Sequence, residues 1–301
     1  MSFELLVESM LSVFQQVPLG LRYMLLSSLG FSLMAVTVKL ASQQGLPLME
    51  IVAARALVSL VLSYTDVRRK GISPWGHNKP LLVARAIVGT IALMGAYYAV
   101  TAMPLADATV LQYLHPMFTA IIAMLFLKER IHGATLICIV LSLGGLLAIA
   151  RPEFLFGSLH ASFSWLALAA ALLGAFGSAI AYVLVRKLSQ SEDTSVIIFY
   201  FPFVALPVSL LLLWDRFVWP QGEQWLILIL VGVFTQLGQI GITKAMQTET
   251  AGKATAYSYV QVVFAALLGW CIFEEVPEFW TYLGAGLIVF GAAINLFAKR
   301  V

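Results

Sequence analysis

Charge is scarce in this 301-residue chain: Asp, Glu, Lys and Arg together make up 11% of it. A soluble domain carries about 25%, so a globule with a water-facing surface is a poor reading. Cysteine is rarer still. Cys138 and Cys271 both fall inside apolar runs, which argues against a disulfide framework or a thiolate metal site and reads each thiol as a small buried apolar group. The four histidines, His77, His115, His132 and His160, are scattered. HExxH, GxSxG and paired-aspartate patterns are missing, so a membrane-embedded enzyme, the rival class, has no visible cluster of catalytic groups. No filter-like segment suggests a channel. No basic stripe with interleaved aromatics is present, and nucleic acid is not an expected partner. Neither a metal nor a cofactor is expected.

What the chain does have is apolar length. Hydrophobic residues make up 61% of it, in runs near the roughly 20 residues that cross a bilayer as a helix. The runs predict an all-α integral membrane protein with ten spans, at about 19–41, 48–65, 81–101, 105–127, 131–150, 164–186, 195–214, 224–246, 251–273 and 278–298. Residues 1–18 mix Phe3, Leu5, Leu6, Leu11 and Phe14 with Glu4, Glu8 and Gln15. They read as an interfacial amphipathic helix and lack the basic start of a signal peptide.

Lys and Arg mark the sides. If the N-terminus is cytoplasmic, fourteen basic residues fall inside and only Lys39, Arg151 and Arg216 outside, with Arg55 within a span. The bias predicts both termini in the cytoplasm of a cell (inner or plasma) membrane. Each half then holds five spans, an odd number, so the second half must be inverted.

The halves are also similar in sequence. At an offset of 146, Ala99, Ala108, Thr109, Tyr113, Phe118, Ala120 and Glu129 meet Ala245, Ala254, Thr255, Tyr259, Phe264, Ala266 and Glu275. Inverted repeats are how many secondary transporters build two gates around one midplane site. A small polar metabolite moved by alternating access, each half rocking against the other, is the leading expectation. Pro116, Pro202 and Pro207 are candidate flexible points. A non-transporting assembly factor is the other alternative.

Residues 96–131 carry a short Met103-Pro104-Leu105 connection, a small-residue start to span four, a mid-span proline, and Leu127-Lys128-Glu129 at its end. Glu274-Glu275 repeats the ending, and Ala54-Arg55-Ala56 sits in span two. This pattern resembles the EamA-type members of the drug/metabolite transporter superfamily, with units at 19–151 and 164–299. Residues 104–109 are similar to a eukaryotic solute-carrier branch of it. The resemblance implies that spans one to four and six to nine surround a cavity, with spans five and ten outside. It implies substrates among amino acids, nucleotide-related metabolites, vitamins and organic anions. Small multidrug exporters, distant relatives, use a glutamate in span one; here that span has no carboxylate.

Polar residues inside spans are candidates to face a cavity. Gln112, His115 and Thr119 share one helical face, and Pro116 frees the carbonyl of Gln112. Tyr257 and Gln261 face similarly in span nine, where Gln261 is the repeat mate of His115. Gln236 and Gln239 mark span eight, Tyr97 and Tyr98 span three, and Arg55 could bind an anion or act as a lock. These ten residues are the candidate substrate-binding set. Tyr113 and Tyr259, two positions from His115 and Gln261, rotate about 200° away and are expected to pack between helices. Arg85 is expected to snorkel to the cytoplasmic surface. The expected partners are a small-molecule substrate and the lipid bilayer, with a second copy of the chain in a homodimer, a coupling proton carried by His115, Asp107 or Glu50, and a counter-substrate left open.

Overall fold

The structure, a computed structural model, describes residues 17–156, 164–214 and 216–297. It contains ten spans: α1 (Leu19–Gln43), α2 (Leu48–Arg69), α3 (Lys79–Ala102), α4 (Leu105–Phe126), α5 (Gly133–Ala150), α6 (Trp165–Leu188), α7 (Thr194–Leu213), α8 (Glu223–Thr248), α9 (Ala251–Phe273) and α10 (Phe279–Phe297). A helix of four residues, Glu153–Phe156, follows α5. No strand occurs among the described residues. This follows from the solvent, because a helix satisfies every backbone polar group within its own segment. The amphipathic helix expected at 1–18 lies almost entirely outside the described residues.

The ends are set locally. Proline precedes α1, α2 and α4, as Pro18, Pro47 and Pro104. Asn78 caps the amide of Leu81, and Asp193 caps that of Ser195. α2 runs four residues beyond its expected end at 65, to Arg69, which carries Asp66 and Arg68 on its last turn. α7 is continuous through Pro202 and Pro207.

Each helix packs chiefly on one from the other half. α1 lies on α8, α3 on α6, α2 on α7 and α5 on α10. Small residues permit the contacts. A Cβ added at Gly30 would meet the Gly238 amide nitrogen at 2.7 Å, and one at Gly145 the Gly284 carbonyl at 2.5 Å. The sequence halves are therefore not separate bodies, and the expectation that each half rocks against the other is corrected. The units are mixed: α1 and α8 with the second part of α9, against α3 and α6 with α4.

Those units meet differently at the two ends. At the end rich in Lys and Arg, the basic end, one apolar cluster joins residues of α1, α2, α3, α4, α6, α7, α8 and α9, including Met24, Leu82, Ala179 and Met246. Toward the opposite end the apolar contacts divide into three clusters. Val110, Leu146, Tyr259, Val260 and Ile288 join α4 and α9 to α5 and α10. Ala41, Leu46, Ile51 and Leu228 tie α1, α2 and α8, while Ala99, Ala108, Leu111 and Ala171 tie α3, α4 and α6.

Candidate functional site

The spans α4 and α9 are both broken where they pass the middle of the molecule. α4 is helical over Leu105–Gln112 and His115–Phe126, with Tyr113 and Leu114 between. Pro116 has no N–H for the Gln112 carbonyl and disfavours helical backbone before it. α9 has Ala251–Ala256, a 3-10 turn at Tyr257–Tyr259, then Val260–Phe273. No proline acts there. The Ser258 hydroxyl donates to the Thr255 carbonyl at 2.7 Å, which competes with the helical ladder.

Beside these breaks lies a cavity of about 270 Å³. Its lining residues come from α1, α2, α3, α4, α6, α7, α8 and α9, and none comes from α5 or α10. His115, Gln261, Gln112, Gln239 and Arg55 all face it. His115 stands edge-on to the Tyr182 ring at 5.3 Å between centroids, and its Nδ1 is buried without a hydrogen-bond partner. Gln112 donates from Nε2 to Ser178 Oγ at 3.1 Å, while its Oε1 has no partner. The backbone carbonyl of Gln261 accepts from Ser32 Oγ at 3.0 Å. Unsatisfied buried polar atoms are costly, and here they border a space that a polar ligand could fill.

Five other candidates lie elsewhere. Thr119 is fully buried and donates to the His115 carbonyl at 2.7 Å, steadying the start of that helix. Gln236 is clamped to α2, its Oε1 accepting from Ser59 at 2.6 Å and its Nε2 donating to Ser63 at 3.0 Å. Tyr257 is buried outside the lining. Tyr97 stands behind Arg55, accepting from Nη1 at 3.5 Å. Tyr98 is exposed on the far side of α3.

Two expectations about direction need correcting. Tyr113 does pack, its ring stacked on Tyr259 at 5.7 Å and its carbonyl accepting from the Tyr259 hydroxyl at 2.8 Å. Yet Tyr113 also lines the cavity, its ring edge-on to His115 at 5.9 Å between centroids. Arg85 does not snorkel. It is buried at 4% exposure on the cavity wall, donating from Nη2 to Gln239 Oε1 at 3.3 Å, with its guanidinium 4.6 Å from the Phe201 ring centre. Its sequence signal was an arginine several residues into an apolar run. Among the proton candidates, Glu50 accepts from the Val218 amide at 3.0 Å, and neither it nor Asp107 reaches the cavity.

A polar lock closes the basic end. Glu129 accepts from Arg186 Nε at 2.8 Å and from the Ala251 amide at 2.8 Å. Arg186 Nη1 donates to the Met246 carbonyl at 2.5 Å. The lock therefore joins α4 and α6 to the α8–α9 connection. At the opposite end, Glu275 pairs with Lys39 at 2.5 Å, on the surface.

Residues 18–151 and 165–297 each match the model of the EamA-like transporter family. The pseudopaline exporter CntI of Pseudomonas aeruginosa is 35% identical over 271 residues, which cover 90% of this chain and 93% of that protein. Human solute carrier family 35 member G1 is 36% identical over 292 residues, covering 92% of this chain and 79% of its own. A solved crystal structure shares the fold at a TM-score of 0.73, over 89% of this chain and 95% of that one, with 20% identity. The two matches span both repeats and the relatives are similar over nearly the whole chain: this protein is an integral membrane protein belonging to the EamA-like transporter family.

Proposed function

We propose that the chain is a secondary transporter that moves a small polar metabolite by alternating access, with its basic end and both termini in the cytoplasm of a cell membrane. One observation carries the reading. A polar cavity lies between two mixed-repeat units that share one broad apolar cluster at the basic end, whereas toward the other end α1, α2 and α8 keep one cluster, α3, α4 and α6 another, and a smaller one around Val110 and Tyr259 joins α4 to α9. That is the arrangement of a carrier closed on one side. His115 and Gln261, repeat mates on the broken spans, form the polar floor, with Gln112, Gln239 and Arg55 on the walls. The orientation rests on the positive-inside bias. Export is the first direction to try, because one relative bears the name of an exporter.

Purified protein in liposomes tests this. Saturable uptake with counterflow of a polar metabolite is expected, and His115→Ala and Gln261→Ala should each alter its affinity or rate. Flux unchanged in both variants would move the site elsewhere. Absence of counterflow for every solute class would count against the carrier.

A further inference from the structure

Two arginines line the cavity, and no aspartate or glutamate does. A guanidinium inside a membrane span is kept for a partner or a ligand. Neither Arg85 nor Arg55 makes a salt bridge with a carboxylate among the described residues. Arg85 is fully enclosed, yet its Nε and Nη1 make no hydrogen bond. Its neighbours are neutral: Gln239 at 3.3 Å and the face of Phe201. Arg55 is 8% exposed, with Nη1 making only long contacts, 3.5 Å to Tyr97 Oη and 3.6 Å to Met34 Sδ.

The two are held at different depths. Arg85 is six residues from the basic end of α3, and Arg55 fourteen from that of α2. At about 1.5 Å per residue their Cα atoms differ in depth by roughly 12 Å. The uncharged polar groups of Gln112, His115 and Gln261 line the same cavity. The cavity, at about 270 Å³, sits near the lower limit of ligand pockets, roughly 300 Å³, which selects a small molecule.

We propose that the cavity binds a small organic anion with two acidic groups, one taken by Arg85 and the other by Arg55. This rests on the transporter reading and names the substrate class of that site. A guanidinium presents a planar fork of donors suited to carboxylate or phosphate. An anion with one acidic group leaves one arginine without a partner of opposite charge. A cation faces two like charges with no carboxylate to offset them. Arginines that served only as helix locks would have their donors used within the protein, and Nε and Nη1 of Arg85 are not.

Calorimetric titration of the purified protein with isosteric probes decides it. Succinate, glutarate and adipate test two carboxylates, glycerol 3-phosphate tests a phosphate, butyrate a single carboxylate and succinamide none. At least one two-carboxylate probe should bind roughly 10- to 100-fold tighter than butyrate and tighter than glycerol 3-phosphate, and succinamide should not bind. Preference for glycerol 3-phosphate, which has one acidic group, over every dicarboxylate would overturn the two-group site. Arg55→Lys and Arg85→Lys keep the charge and lose the fork. Each should reduce the affinity of the best probe toward that of butyrate, while a purely structural role would lower stability and leave the selectivity between probes unchanged. If one variant fails to fold, the wild-type probe series and the other variant still decide. Equal affinity for succinamide, butyrate and the dianions overturns the proposal, as does unchanged selectivity in a folded variant. Counterflow of a neutral or cationic metabolite, with no dianion bound, overturns the dianion and keeps the carrier. A bound dianion without flux of any solute overturns the carrier instead.

Discussion

Glu129 and Glu275 are the same residue in two copies of one motif. Each follows a non-glycine residue in the left-handed region, Lys128 and Glu274, both at φ 56°. Each donates its amide to the carbonyl six residues back, Ala123 or Gly269, at 3.3 Å. Their surroundings then part. The Glu129 side chain is 14% exposed, holds Arg186 and bonds across to the start of α9. The Glu275 side chain is 58% exposed and holds only Lys39. Identical local structure with different partners says that the difference lies in how the two units lean. In the opposite state of the proposed alternating access the roles should exchange. Glu275 would then approach the amide of Leu105, which stands 146 residues before Ala251 and is now exposed.

The largest effect is expected from Glu129→Ala. It strands a largely buried guanidinium, so stability should fall by about 3 kcal/mol, read as a lower melting temperature. The basic end should also loosen. A cysteine placed at buried Thr119, in a Cys271→Ser background with only buried Cys138 remaining, should then react with a thiol reagent that leaves it untouched when Glu129 is intact.

Next comes Gln236→Leu, which removes the clamp between α2 and α8 that belongs to neither end. Loss of its bonds to Ser59 and Ser63 should cost about 1–2 kcal/mol, with flux in liposomes following the folded fraction alone. A specific loss of affinity would show that Gln236 touches substrate after all.

Glu275→Gln sharpens the comparison most. Its exposed pair should contribute only about 0.5 kcal/mol, so melting should scarcely change. Flux should nevertheless drop as far as in a conservative Glu129→Gln variant, because each lock serves one of the two states. Wild-type flux in the Glu275 variant would break the proposed exchange.

The smallest effect concerns pH. At the basic end Asp193 is paired with Lys70 at 2.9 Å and accepts from the Ser195 amide. Burial alone would raise the Asp193 carboxyl, but the hydrogen bonds from Lys70 and Ser195 outweigh it and the net shift is downward. A folded pKa below the unfolded one means the contribution is complete above the ordinary carboxylate range and fades as pH falls through the folded value. Melting temperature should therefore fall slightly more in acid for the wild type than for Asp193→Asn. The same slope in both would remove Asp193 from the account of this end.

The spans were legible because a bilayer imposes length and apolarity on each of them. The repeat was legible because both copies keep identical residues at an equal spacing. His115, Gln112, Gln239, Gln261 and Arg55 were found from the cost of polar groups in apolar runs, and all five line the cavity. The same rule offered Gln236, Thr119 and Tyr257 equally, because a polar side chain inside a span meets that cost by bonding to a neighbour as readily as by facing a cavity. Arg85 was misplaced because its distance from the helix end permits snorkelling. Only the position of Gln239 and Phe201 turns it inward.

By itself, then, the sequence determined the solvent, the ten helices, the inversion and the carbonyl that Pro116 frees at Gln112, all consequences of local chemistry and of the bilayer. Tertiary structure alone decided which helices pair across the halves, which polar residues share the cavity and which of two equivalent glutamates is the more buried. Those depend on contacts between residues far apart in the chain, as when Gly30 meets Gly238 or Glu129 meets Ala251, and no local pattern encodes such distances.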